Sequence, residues 1–134
     1  MASISREILI DVAPQEVWAV VADFVEGPLR MAPGLVTAGT DMGEGVREVA
    51  FAHGTVARER LITLDNEARR LVYSVIGGSA TPLHDNAVMQ VYPHGDNATR
   101  LTWTRDILPD AMATPFTATM DQALIVFKKT IESA

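Results

Sequence analysis

The chain of 134 residues contains no cysteine, which excludes a disulfide framework, a thiolate nucleophile and any Cys-ligated zinc or iron–sulfur site. Aromatic side chains are scarce. Four Phe, two Trp and two Tyr amount to 6% of residues, although 48% are hydrophobic. The apolar mass is therefore mostly Ala, Val, Leu, Ile and six Met, with little bulk per position. Positive charge is also in deficit, with 11 Lys and Arg against 17 Asp and Glu for a net charge of −6. That balance argues against a phosphate-backbone or anionic-membrane partner, so no nucleic acid is expected. No apolar run approaches the ~20 residues of a membrane helix. The opening MASISREILIDV is interrupted by Arg6, Glu7 and Asp11 before it reaches the length of a signal-peptide core. The expectation is a cytoplasmic protein without integral membrane association.

What is present is ample apolar content for one domain over residues 1–134 with a core of its own. Ile4, Arg6, Ile8 and Ile10 share one face of a first strand. Pro14 suits a first helical turn, and Val17, Trp18, Val21 and Phe24 recur at helical spacing, predicting a helix to about Phe24 that Gly27-Pro28 stops. Residues 29–34 read as a second short helical turn ending at Pro33-Gly34. From Leu35 to Leu108 turn signals separate strands: Val46 to His53, Thr55 to Leu64, Arg70 to Ile76, one ending at Pro93, and one ending near Leu108. Leu71, Tyr73 and Val75 share a face; so do Asp85, Ala87, Met89 and Val91, and so do Leu101, Trp103, Arg105 and Ile107. The opposite face of the last strand is polar, as in an antiparallel sheet with one solvated side. After Pro109, with Asp110 as N-cap, a helical stripe runs through Met112, Phe116, Met120, Ala123, Leu124, Phe127 and Ile131. A helix of roughly 22 residues is ~33 Å long, long enough to cross a whole sheet.

This order predicts an α+β architecture: a curved antiparallel sheet of about seven strands wrapped around a long C-terminal helix, with two short helices after the first strand. The segments IDVAPQEVWAVVADF, GVREVAFAHGTVARERLITLD, RRLVYSVIGG and TRLTWTRDILP, followed by a terminal helix, resemble the START/Bet v 1-like (SRPBCC) superfamily, specifically its bacterial polyketide cyclase/dehydrase and lipid-transport group. The resemblance covers almost the entire chain. It implies a helix-grip fold with a pocket between sheet and C-terminal helix that takes lipids, sterols, plant hormones or polyketides, in carriers, receptors or enzymes. AFAHGTV stands where the hormone receptors of the superfamily carry a gate loop. The Rieske-type cluster of other relatives is impossible without cysteine.

Strand parity puts Ala57, Glu59 and Leu61 on the face of Tyr73, so Glu59, Arg105 and Asp85 are polar groups on otherwise apolar inward faces. A buried charge is costly unless paired. Two readings stand: Glu59 and Arg105 form a polar end of the pocket that binds a ligand carbonyl or carboxylate, or they are a structural ion pair or strand-end residues reaching solvent. Tyr73 and Trp103 each join an apolar ring to one hydrogen-bonding atom, suited either to a ligand or to a core. Leu71 and Leu61 complete the sheet side of the expected ligand site. Phe116, Met120 and Leu124 form its helix wall, with Met89 and Met120 supplying adaptable surface. His53 and His84 are candidates for the pocket rim, where a histidine acts as acid or base near neutral pH, and His94 in PHGD reads as a solvated turn. No cofactor is expected, and no metal, because His84-Asp85-Asn86 has no partner at ligand spacing. The expected partner is a hydrophobic or amphipathic small molecule bound by a monomer or homodimer, the latter through the strand edge near Thr37 to Asp41. The alternative is a cyclase/dehydrase-type enzyme with Glu59, Tyr73 and Arg105 as candidate catalytic residues. An interaction module rests only on the breadth of the superfamily.

Overall fold

Apolar alternation produces the strands, as expected. The computed structural model describes residues 1–134. Seven strands form one sheet: β1 (Ala2–Ile10), β2 (Val36–Gly43), β3 (Val46–Phe51), β4 (Val56–Asp65), β5 (Arg70–Gly78), β6 (His84–His94) and β7 (Ala98–Leu108). Their order is β1-β7-β6-β5-β4-β3-β2, with every neighbouring pair antiparallel. β1 and β2 are thus the two edges, and β2 contains the predicted edge segment Thr37 to Asp41. α1 (Pro14–Val21) and α2 (Gly27–Met31) follow β1, and α3 (Ala113–Glu132) closes the chain. This is the helix-grip arrangement. No helix is long and apolar enough to cross a membrane.

Several boundaries differ from those read in the sequence. α1 ends at Val21 rather than near Phe24, and Gly27-Pro28 opens α2 instead of only stopping the helix before it. Proline lacks an N–H that the first helical turn would leave unbonded, so it starts a helix as readily as it ends one. β3 ends at Phe51, whereas β5 continues through Gly77 and Gly78. β6 runs through Pro93 to His94. Pro93 is tolerated because β5 pairs with β6 only from Arg70↔Gln90 to Tyr73↔Ala87, so this end of β6 has a free edge where no N–H is needed. Asp110 begins a 3-10 turn, Asp110–Met112, and α3 starts at Ala113.

Two departures from regular pairing shape the interior. β4 and β5 shift register between Arg58 and Glu59 and again between Leu61 and Thr63, and such bulges bend a sheet. Beyond Tyr73 and Ala87, β5 and β6 part. The carboxylate of Asp85 occupies the gap: its Oδ2 accepts the N–H of Val75 at 2.8 Å, a bond the ladder no longer supplies.

α3 spans the concave side and is tied to β1. Arg6 Nε donates to Asp121 Oδ1 at 2.6 Å, and Lys128 Nζ donates to the Leu9 carbonyl oxygen at 2.7 Å. Met120, Ala123, Leu124 and Phe127 are buried against a core that includes Ile10, Val17, Leu71 and Leu101. The first turns of α3 are more open, with Thr114 and Pro115 exposed.

Candidate functional site

The curved sheet and the helix do not fill the space between them. A cavity of about 330 Å³ lies under α3, bounded by β3 to β7, by α2 and by the first half of α3. Its volume is near the lower limit of ligand pockets, about 300–1,000 Å³. Leu71, Val75, Met89 and Val49 form the sheet side, and Phe116, Met120 and Ala123 the helix side. The scarce aromatics are concentrated here, with Phe51, Tyr73, Trp103 and Phe116 among the residues that border the cavity.

The polar end of the cavity consists of Arg47, Glu59, Tyr73 and Arg105, with Asp85 behind Arg105. All five are buried, none more than 7% exposed. The sequence-based pairing of Glu59 with Arg105 is not what forms. Glu59 Oε1 accepts from Arg47 Nε at 2.8 Å and lies 2.8 Å from Arg47 Nη2. Arg105 Nε instead lies 2.8 Å from Asp85 Oδ1. That N–H is not aimed at the oxygen, so the contact is coulombic rather than a directed hydrogen bond. The register explains both pairings. Arg47 is directly opposite Glu59 on β3 and β4, and Arg105 is opposite Ala87, one inward position along from Asp85 on β6.

Arg47 also donates from Nη1 to the Phe24 carbonyl oxygen at 2.6 Å, and its guanidinium lies 4.2 Å from the Phe24 ring centroid and 4.9 Å from that of Tyr73. Such stacking suits a planar, weakly hydrated cation. Arg47 is the residue that sequence reasoning missed. The signal was available, because Arg47 shares the inward parity of Val49 and Phe51 on β3.

The Tyr73 hydroxyl oxygen accepts from Trp103 Nε1 at 3.1 Å and, at a longer 3.4 Å, from Arg105 Nη2. A hydroxyl has two lone pairs and one proton, so both acceptor sites are engaged while the proton has no acceptor in the protein. Burial pushes the Tyr73 hydroxyl up to about 12 against the pull of Arg105. It is therefore a donor throughout the neutral range. Burial likewise pushes the Asp85 carboxyl above its usual range, opposed by Arg105 and by the Val75 N–H. Asp85 Oδ2 accepts the Val75 N–H and Oδ1 lies 2.8 Å from the Arg105 cation, so both contacts favour the ionised carboxylate against that burial. For Arg105, burial works against the charge, but Tyr73, Asp85 and Glu59 outweigh it and hold the guanidinium above its ordinary value.

A titration checks the Tyr73 environment. In Tyr92→Phe, which leaves Tyr73 as the only tyrosine, the phenol remains mostly protonated at pH 11 by absorbance. The folded value lies above the unfolded value of 10.0, so its stabilisation is complete below pH 10 and is lost as pH rises through about 12. The difference corresponds to roughly 2–3 kcal/mol. Ordinary phenolate formation near pH 10 in the folded protein contradicts this geometry.

Of the residues singled out in the sequence, Glu59, Leu71, Tyr73, Met89, Trp103, Arg105, Phe116 and Met120 border the cavity. Leu61 and Leu124 do not. Leu61 is half-buried opposite Tyr73 beside the β4 bulge and packs on the core. Leu124 is buried in the core because each i+4 step turns about 40° around a helix, which carries the stripe away from Phe116. His53 reaches the cavity mouth, stacked on Phe51 with centroids 5.4 Å apart, and its Nδ1 is 2.9 Å from Thr55 Oγ1. His84 and His94 are exposed on β6 and are not part of the cavity lining. No three His, Asp or Glu side chains cluster as metal ligands.

The family described as polyketide cyclase / dehydrase and lipid transport matches residues 1–132. No functionally curated protein matches at a significant level. Among solved structures, the protein XoxI from Bacillus cereus superposes with a TM-score of 0.84 at 20% identity, covering 96% of this chain and 94% of that one. The di-domain aromatase/cyclase BexL of the BE-7585A biosynthetic pathway gives 0.82 at 16% identity, with 98% of this chain matching 47% of BexL. A START superfamily protein from Mycobacterium smegmatis gives 0.73 at 12% identity, covering 98% and 94%. At these identities the structural likeness shows the fold.

Proposed function

Because the chain belongs to the polyketide cyclase/dehydrase and lipid transport family, we propose that it binds a small hydrophobic or amphipathic molecule in the cavity between the sheet and α3. One observation carries this reading: an apolar space of about 330 Å³ ends on four buried polar side chains, Arg47, Glu59, Tyr73 and Arg105. An apolar body with one oxygenated end has the matching shape and polarity. The ligand-contact residues are Glu59, Leu71, Tyr73, Met89, Trp103, Arg105, Phe116 and Met120, joined by Arg47 and Ala123. The modest volume favours a compact molecule over a long acyl chain. Uptake of a fluorescent hydrophobic probe by the purified protein, with native mass spectrometry for co-purified molecules, tests this. The absence of both uptake and a bound species overturns it.

A second reading, acid–base catalysis on a ketone-bearing substrate of the cyclase/dehydrase type, is favoured by the groups left over at the polar end. The Tyr73 proton has no acceptor, and Glu59 Oε2 has no hydrogen-bond partner in the protein. A donor and a carboxylate oxygen on one cavity are what enolisation requires: the carboxylate takes the proton next to the carbonyl while the donor holds its oxygen. On this reading Glu59→Gln and Tyr73→Phe each lower turnover of a model poly-β-ketone by about 100-fold or more. Unchanged rates rule it out.

A further inference from the structure

We infer that the cavity selects an uncharged ligand bearing a hydrogen-bond-accepting oxygen, and that Asp85, which does not itself line the cavity, sets this preference. The inference rests on the ligand-binding reading above.

The polar end carries two cations, Arg47 and Arg105, and two anions, Glu59 and Asp85. Each cation has its own counterion at 2.8 Å, so the buried charge cancels. A carboxylate entering this end loses its hydration, finds both guanidinium groups already neutralised, and meets Glu59 and Asp85 as like charges. An isolated anion in such a site is strongly disfavoured. A neutral oxygen carries little of that cost. It also finds donors: the Tyr73 hydroxyl proton is unengaged, and Arg105 makes only one hydrogen bond, the long one to Tyr73.

Asp85 is the controlling group because it is fixed. Its side chain is 0% exposed, its Oδ2 is held by the Val75 N–H at 2.8 Å, and its own carbonyl oxygen accepts from Ser74 Oγ at 2.6 Å. These bonds lie at the opening between β5 and β6, so the carboxylate cannot swing aside to release Arg105 to a ligand. Asp85 acts through Arg105 and is a positioning residue. In Asp85→Asn the guanidinium keeps its charge without a counterion, which a ligand carboxylate then supplies.

The test is displacement of the fluorescent probe by 2-nonanone, octanamide and octanoate. Wild type binds the ketone and the amide at least about tenfold more tightly than octanoate. Asp85→Asn gains about tenfold or more for octanoate while 2-nonanone changes by less than about threefold, and octanoate raises the Tm of this variant but not of wild type. Tyr73→Phe weakens 2-nonanone about fivefold, the worth of one neutral hydrogen bond, and leaves octanoate unchanged. Octanoate binding to wild type as tightly as octanamide overturns the inference whether or not the variants fold. So does an Asp85→Asn protein that folds and gains nothing for octanoate. If no probe or competitor binds wild type at all, the ligand-binding reading itself fails, an outcome distinct from equal binding of charged and neutral competitors.

Discussion

Arg47→Ala lowers stability by about 3–5 kcal/mol, because it leaves the Glu59 carboxylate buried without its counterion. For a chain of this length that is a fall in Tm on the order of 10–20 °C. The size of the effect follows from burial. The Arg47 and Glu59 side chains are 5% and 10% exposed, whereas Arg100 and Glu7 in a surface pair are 38% and 55% exposed. A surface pair of that kind contributes only about 0–1 kcal/mol. Arg47 also holds the chain after α1 through the Phe24 carbonyl oxygen and stacks on two rings, so its loss removes packing as well as charge. Thermal denaturation followed by circular dichroism measures the change. The double variant Arg47→Met with Glu59→Gln regains much of the loss, since it leaves neither charge in the interior. A decrease under about 1 kcal/mol for Arg47→Ala would show that the pair is hydrated in solution.

Ala123→Trp abolishes probe uptake while leaving the protein folded. Ala123 is 7% exposed, lies midway along α3 and borders the cavity beside Met120. An indole projecting from this position occupies a large share of the 330 Å³ available and leaves too little for a ligand. In a filled core the same substitution costs typically 1–3 kcal/mol or more through strain. Here the ring enters existing space and gains apolar contact, so Tm moves by no more than a few degrees. Affinity for the probe falls by about 100-fold or more, the factor equivalent to about 2.7 kcal/mol. Retained uptake places the probe elsewhere, and unfolding identifies the space as packed.

Much of the architecture was legible because it depends on local patterns. Period-2 alternation marks the buried faces of β1, β5, β6 and β7, where Ile4, Tyr73, Met89 and Trp103 point inward as expected. The stripe Met120, Ala123 and Phe127 marks the buried face of α3. The turn Gly43-Glu44-Gly45 forms a tight hairpin with positive φ at Glu44 and Gly45, the backbone that such two-residue connections require. Sequence pattern and structure differ where one signal has two meanings. Gly27-Pro28 punctuates a helix from either end. Leu61 and Leu124 have inward parity, yet a bulge and the rotation of the helix stripe take them out of the cavity lining. Arg47 is inward by its alternation with Val49, but a single charge in a short strand with half-buried neighbours is a weak signal beside the longer alternations of β6 and β7.

The sequence by itself determined the α+β order, the seven strands, the long closing helix and the inward faces, because side-chain periodicity is set by backbone geometry within each element. It also determined that those faces are mostly aliphatic and methionine side chains, with Tyr73 and Trp103 among them. Only the tertiary structure decided which charges meet. Glu59 joins Arg47 and Arg105 joins Asp85 because strand register and the parting of β5 from β6 bring those atoms to 2.8 Å. Pairing across strands depends on bulges and offsets that involve residues far apart in the chain, and no pattern within one strand encodes them. The same long-range geometry decided that the inward faces stop short of one another and enclose a cavity.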